Sequence, residues 1–280
     1  MISLKSPLLF ALFLTIFAGL TVAQTKKVDF AKKIKEATPE ALPQSPIAAK
    51  LKSDAQDNNL KGKVKSVIEY TQDAGKSKRE LYSEEYYDEK GNFIKTVDYL
   101  QGYPESVTVW GYIDGDRVIK SNHIQYAEGE RPPVEGIIMV MAQDNVKNPN
   151  IPKDARYDIK YTYKYNQQGQ LVERGMYQNN GELWVRNVYN YKGNQREELH
   201  YDRDSSETSQ TIEILDKNGN VIERHLMDAD GKIGSKEINT YTFDSQGNWI
   251  VKKTFEPKKV KGKTVMKLLW TSYRTITYYQ

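Results

Sequence analysis

Between Tyr157 and Tyr165 the chain alternates strictly, with Tyr157, Ile159, Tyr161, Tyr163 and Tyr165 separated by Asp158, Lys160, Thr162 and Lys164. A period of two with aromatic bodies on one side predicts a strand with one covered face. Turn signals follow at Asn166–Gly169, Gln178–Gly181 and Tyr191–Asn194, and Gly169, Gly181 and Gly193 stand twelve residues apart. A strand of about eight residues and a turn of about four fill each interval.

The same unit recurs on both sides of this block. Upstream, strands are expected over Val64–Thr71, Tyr82–Tyr87, Phe93–Tyr99, Val107–Tyr112 and Arg117–Tyr126, the last two flanking Asp114-Gly115-Asp116. Downstream they are expected over Thr211–Leu215, Val221–Met227, Lys236–Phe243, Trp249–Phe255 and Val265–Tyr279, with Asp202–Ser209 read as a polar loop. Asp88, Asn166, Asp216 and Asp244 each stand three residues before a glycine. An Asx side chain starts a type I turn, and a glycine in the left-handed region closes it. These glycines are turn punctuation rather than a phosphate-binding loop. The expected fold is all-β, an antiparallel meander of repeated hairpins forming a curved open sheet or a barrel-like closure. The terminal strand is expected to be an exposed edge, guarded by Lys258, Lys259, Lys261 and Lys263.

Three stretches break the pattern. Residues 1–23 read as a signal peptide: Lys5, an apolar run from Leu8 to Leu20, then Thr21-Val22-Ala23 before Gln24. Residues 24–59 read as a mobile leader with a short basic amphipathic helix, limited by Pro39, Pro43 and Pro46. An insertion at about 127–156 holds the apolar run Ile137–Met141, expected to be buried. The β-domain spans 60–280.

Composition narrows the setting. There is no cysteine, which excludes thiol chemistry and disulfides, and with the leader points to a bacterial periplasmic or secreted protein. Once the signal is removed, no hydrophobic segment long enough to span a membrane as a helix is left. The formal net charge of +4 becomes +3 on loss of Lys5, too weak and dispersed to indicate nucleic acid. Tyrosine, with 20 copies, is the outlier and suits broad half-covered β-surfaces.

The unit Tyr-x-Tyr-Asp-x-x-Gly-Asn-apolar resembles the YD repeat of RHS-like bacterial proteins. It stands at Tyr86–Phe93, Tyr163–Leu171, Ile214–Val221 and Tyr241–Trp249. The resemblance covers roughly Leu60 to Gln280 apart from the insertion, and is greatest to the short exported members of Gram-negative bacteria. It implies a fold of β-hairpin repeats and no particular activity.

Candidate chemistry is sparse. His123, His200 and His225 show no ligand spacing, and no serine lies in Gly-x-Ser-x-Gly. Asp228, Asp230 and Glu237 fall at EF-hand positions around Gly231, but Leu226 stands at the first ligand position; the alternative is one more Asp-Gly hairpin. No cofactor is expected. The aromatic residues are the remaining signal: Tyr161, Tyr163, Tyr165, Trp184 and Tyr189 are the candidate binding residues. Trp184 and Tyr189 have opposite parity, so at most one shares the face of the tyrosine ladder. The expected function is a non-enzymatic binding or scaffold module for a cell-envelope protein or glycan. The alternative is an envelope polysaccharide hydrolase using carboxylates from different strands.

Overall fold

The structure is a computed structural model that describes residues 29–42, 52–113, 116–126, 158–203, 207–228 and 230–280. The signal peptide, Tyr157 and the whole insertion at 127–156 with its run Ile137–Met141 lie outside the described residues.

Fourteen strands account for most of the described chain: β1 (Val64–Asp73), β2 (Glu80–Tyr87), β3 (Phe93–Leu100), β4 (Tyr103–Ile113), β5 (Asp116–His123), β6 (Ile159–Tyr165) and β7 (Leu171–Gln178). They continue with β8 (Leu183–Lys192), β9 (Gln195–Tyr201), β10 (Glu207–Leu215), β11 (Val221–Met227), β12 (Ile233–Phe243), β13 (Trp249–Val260) and β14 (Lys263–Tyr278). Each pairs antiparallel with its neighbours in sequence, and β1 pairs with β14 to close a barrel. The expected meander is present, and it is closed. The strand pattern of the sequence recurs with small changes: β10 begins at Glu207, inside the stretch read as a polar loop.

Closure corrects one expectation. The last strand is not an exposed edge, because β1 takes it as a partner from Val64↔Tyr278 to Asp73↔Trp270. The lysines assigned to guard it belong to the β13–β14 hairpin. This hairpin extends beyond its pairing with β12, which stops at Ile238↔Phe255. Pro257 sits in that unpaired extension, where a residue without an N–H loses no ladder bond to β12.

Two helices precede the strands. α1 (Phe30–Ala37) is capped by Asp29, whose carboxylate accepts the Lys32 N–H at 3.1 Å. Its apolar stripe lies against the outer wall: Ile34 and Ala37 pack on Val97, Tyr99 and Val107, and Phe30 meets Tyr103 edge-on at 5.5 Å. Leu42 continues the contact onto Val109 and Val118. Residues 30–42 of the leader are therefore docked on strands β3 to β5.

The second helix, α2 (Asp54–Asp57), opens with a capping box in which Ser53 and Gln56 satisfy each other's backbone N–H groups. It occupies one mouth of the barrel. The Ala55 N–H donates to Gly91 O at 2.8 Å, Asn58 Nδ2 to the Tyr87 hydroxyl at 3.2 Å, and Asn59 Nδ2 to Asn220 Oδ1 at 3.0 Å. Asn248 then clamps Lys61 from both sides, accepting its N–H at 2.7 Å and donating to its carbonyl at 2.9 Å. Residues 53–62 thus form a plug that crosses the mouth before entering β1.

The four Asx-x-x-Gly turns identified in the sequence connect β2–β3, β6–β7, β10–β11 and β12–β13, and all lie at this mouth. In each, the Asx side chain accepts backbone N–H groups two and four residues on, as Asp216 Oδ1 does from Asn218 at 2.8 Å and Asn220 at 2.9 Å. The asparagines after the glycines, Asn92, Asn220 and Asn248, are buried. Two of them, Asn220 and Asn248, are the residues that hold the plug.

Candidate functional site: the lumen

Alternation along paired strands sends every second side chain into the barrel. On β6 the inward residues are Tyr161, Tyr163 and Tyr165, opposite Met176, Arg174 and Leu171 of β7. On β8 they include Asn187, Tyr189 and Tyr191, opposite His200, Glu198 and Arg196 of β9. The tyrosine ladder is thus part of the inner wall of a closed barrel, the barrel-like of the two forms that the sequence left open.

A cavity of about 670 Å³ lies above the plug. Tyr161, Tyr163 and Tyr189 line it, with Trp110, Arg117, Arg174 and Arg196. Tyr165 points inward but does not line it. Trp184 has the opposite parity and stands on the outside, 39% exposed. A second cavity of about 230 Å³ shares Asp57–Asn59, Arg196 and Gly219 with the first and extends toward Trp249, Lys252 and Arg274.

Rings run along one side of the lumen without a break. Tyr87 stacks on Phe93 with centroids 4.8 Å apart, and Phe93 on Trp110 at 4.9 Å. Trp110 is 5.9 Å from Tyr161, and Tyr161 stacks on Tyr163 at 6.4 Å. The Arg117 guanidinium lies across this strip, 4.6 Å from both Trp110 and Tyr161 and 5.2 Å from Tyr163. Burial raises the hydroxyl pKa of Tyr161, and of Tyr163 further, despite the nearby arginines, so both stay neutral donors.

Arg117 also pairs with Asp54 of the plug, and both side chains are buried. The same carboxylate accepts from the Tyr112 hydroxyl at 2.8 Å and the Phe93 N–H at 2.7 Å. Further round the wall, Glu213 accepts from Arg196 Nη2 at 2.5 Å and Arg224 Nη2 at 2.9 Å. Burial opposes the ionisation of Glu213, but the two guanidiniums outweigh it and hold the carboxyl below its ordinary value. Arg274 pairs with Glu69 at 2.9 Å and stacks on Trp249. Burial alone lowers Lys252 the most, and it lies over the Trp249 ring.

Glu198 accepts from Asn187 Nδ2 at 2.7 Å and the Tyr189 hydroxyl at 3.2 Å. Glu85 on β2 is raised by burial, opposed by the hydrogen bond from the Tyr87 hydroxyl, and it lines neither cavity.

The calcium candidates are placed apart. Asp228 Oδ1 accepts the N–H groups of Asp230 at 3.0 Å and Lys232 at 2.8 Å, so it serves a hairpin turn. Glu237 is on β12, opposite Arg224 in the lumen. Among the described residues no group of three potential ligands converges on one point.

The lumenal arginines, Trp110 and Asp54 were not among the sequence candidates. Parity reveals the barrel residues once registers are known, since Arg174 faces Tyr163 and Arg196 faces Tyr191. The Ser53–Gln56 capping box was a readable sign of α2.

No family model matches the chain, and no curated protein matches it. Among solved structures, it is similar to a porin-like protein from Bacteroides uniformis, at 9% identity and a TM-score of 0.45, over 78% of this chain and 99% of that one. It is also similar to a protein of unknown function from Bacteroides fragilis, at 14% identity and a TM-score of 0.27, over 42% of this chain and 90% of that one. At those identities and scores the likeness says nothing of function.

Proposed function

We propose that this is an exported, non-enzymatic barrel of the bacterial envelope, related to the short YD-repeat proteins, whose lumen binds the end of a glycan chain. The observation that carries the reading is the 670 Å³ cavity, floored by the plug and walled by stacked rings and guanidiniums. Its volume lies within the range of small-ligand sites and excludes a folded protein domain. Aromatic faces take the apolar face of a sugar ring, while arginine, asparagine and tyrosine hydroxyls meet its hydroxyl groups.

The competing reading, a hydrolase, requires a protonated and an ionised carboxyl flanking one cavity. Of the carboxylates that line the cavity with Asp57, Asp54 already pairs with Arg117, and Glu198 accepts from Asn187 and Tyr189. Glu85, whose carboxyl burial raises above its ordinary value, lines neither cavity. The outside supports a barrel in water rather than lipid. The outward positions of β6 are Lys160, Thr162 and Lys164, where a membrane barrel carries an apolar band.

The test is a titration of the purified protein with envelope glycan fragments, following tryptophan fluorescence with Trp110→Phe as the control. Binding should quench the signal, and Tyr189→Ala should weaken it by about 2 kcal/mol or more while the fold persists. Release of new reducing ends during the titration would instead establish the hydrolase.

A further inference from the structure

Among the described residues, four of the five arginines turned into the lumen have a carboxylate: Arg117 has Asp54, Arg196 and Arg224 share Glu213, and Arg274 has Glu69. Arg174 is the exception. It lies on β7 between Tyr163 of β6 and Asn187 of β8, and it lines the larger cavity. Its Nε is buried and makes no hydrogen bond, and no carboxylate pairs with its guanidinium.

The half-buried Arg174 thus presents its guanidinium to the cavity with its Nε shut off from water and unbonded, whereas the fold has supplied carboxylates to the others around the same wall. Arginine presents parallel N–H donors in a planar fork that fits a carboxylate with two bonds at once. Tyr163 stands across from Arg174 on the neighbouring strand, and Tyr189 lines the same cavity. A sugar ring laid on these tyrosines would bring a carboxylate substituent to the arginine.

We infer that the glycan taken by the lumen is acidic, and that Arg174 is the subsite for the carboxylate of a uronic-acid-type sugar. This rests on the proposed lumenal glycan binding and adds the ligand's charge to it. The probes are trigalacturonate and its fully methyl-esterified form, which have the same ring skeleton and differ in charge, measured by isothermal titration calorimetry on the full-length mature chain. The acid should bind the unaltered protein at least tenfold more tightly than the ester. Arg174→Met should lose about ten- to a hundredfold in affinity for the acid and leave the ester unchanged. Arg174→Lys, which keeps the charge but not the fork, should fall between them.

A merely structural arginine would lower the thermal midpoint when replaced. Loss of an unpartnered guanidinium should leave the midpoint unchanged or raise it, and that readout also shows that the variants fold. Equal binding of acid and ester, or an Arg174→Met variant that binds the acid normally, overturns the anionic subsite while leaving lumenal glycan binding in place. Failure of both probes and of neutral envelope glycans to bind overturns both.

Discussion

Replacing Asp54 by asparagine isolates the bond between plug and wall. The asparagine keeps the shape and can still accept from the Tyr112 hydroxyl and the Phe93 N–H, but it removes the charge facing Arg117. The Asp54 side chain is 0% exposed and that of Arg117 8%, so the guanidinium is left in the wall without a counter-charge. Breaking such a buried pair from one side costs about 3–5 kcal/mol. At about 2–4 °C per kcal/mol for a domain of this size, the thermal midpoint should fall by about 6–20 °C.

The loss has a ceiling, because the plug can leave and let water reach Arg117 while the barrel stays closed. Urea unfolding gives the global figure. Hydrogen exchange at Ala55, Asn58 and Leu60, whose N–H groups bond Gly91, Asp54 and Ala55, reports release of the plug. A cycle with Arg117→Met completes the test. The double variant removes both charges and should be more stable than the sum of the single losses predicts, by about 2 kcal/mol. A loss below about 1 kcal/mol for Asp54→Asn, with no coupling in the cycle, refutes the assignment of this pair as the plug's anchor.

Three further outcomes are expected. Glu85 is raised above the ordinary carboxyl value of 4.5, so the stability it contributes is full below that pH and is lost as pH rises through its folded value. Urea titrations across pH 4–8 should therefore show Glu85→Gln gaining on the unaltered protein as pH rises; a constant difference contradicts the upward shift. Glu213 has the opposite sign. Its folded pKa is lowered, so its contribution is present above 4.5 and fades as pH falls through the folded value, and the deficit of Glu213→Gln should shrink in acid. Finally, Gly91→Ala should destabilise more than Gly169→Ala in thermal melts, although both glycines have positive φ. A β-carbon at Gly91 would lie 2.8 Å from Ser53 Oγ of the plug, whereas nothing stands within 4 Å at Gly169. Equal losses would mean that the plug does not sit against that turn.

The hairpins were legible because their signals are local. An Asx three residues before a glycine and a period of two fix a turn and its flanking strands within some twenty residues. Closure was not, since Val64 meets Tyr278 and nothing near either residue announces the other. The tyrosine face shows the same limit. Its common orientation followed from parity, and the placement of Tyr189 with it and Trp184 against it agrees with the opposite parity of that pair. Whether the shared face looked out or in depended on closure. The plug was missed for another reason: Asp54 and Asn58 are polar residues in a polar stretch, and their value comes from Arg117 and Tyr87, which lie far along the chain.

The pairing of β1 with β14 also sets an order on assembly. The plug precedes the first strand along the chain, and every hairpin from β1–β2 onward can form as the chain emerges in order. The ring cannot close until Tyr278 is available to Val64. Until then both margins of the sheet are unpaired, and the plug has only part of its socket, since Asn248 arrives late. The last event is thus a contact between the two ends of the β-domain, which bears a large loop entropy and makes closure slow next to hairpin formation. An incomplete ring offers its free margins to any neighbouring copy, so the interval before closure is when this chain is most exposed to mispairing.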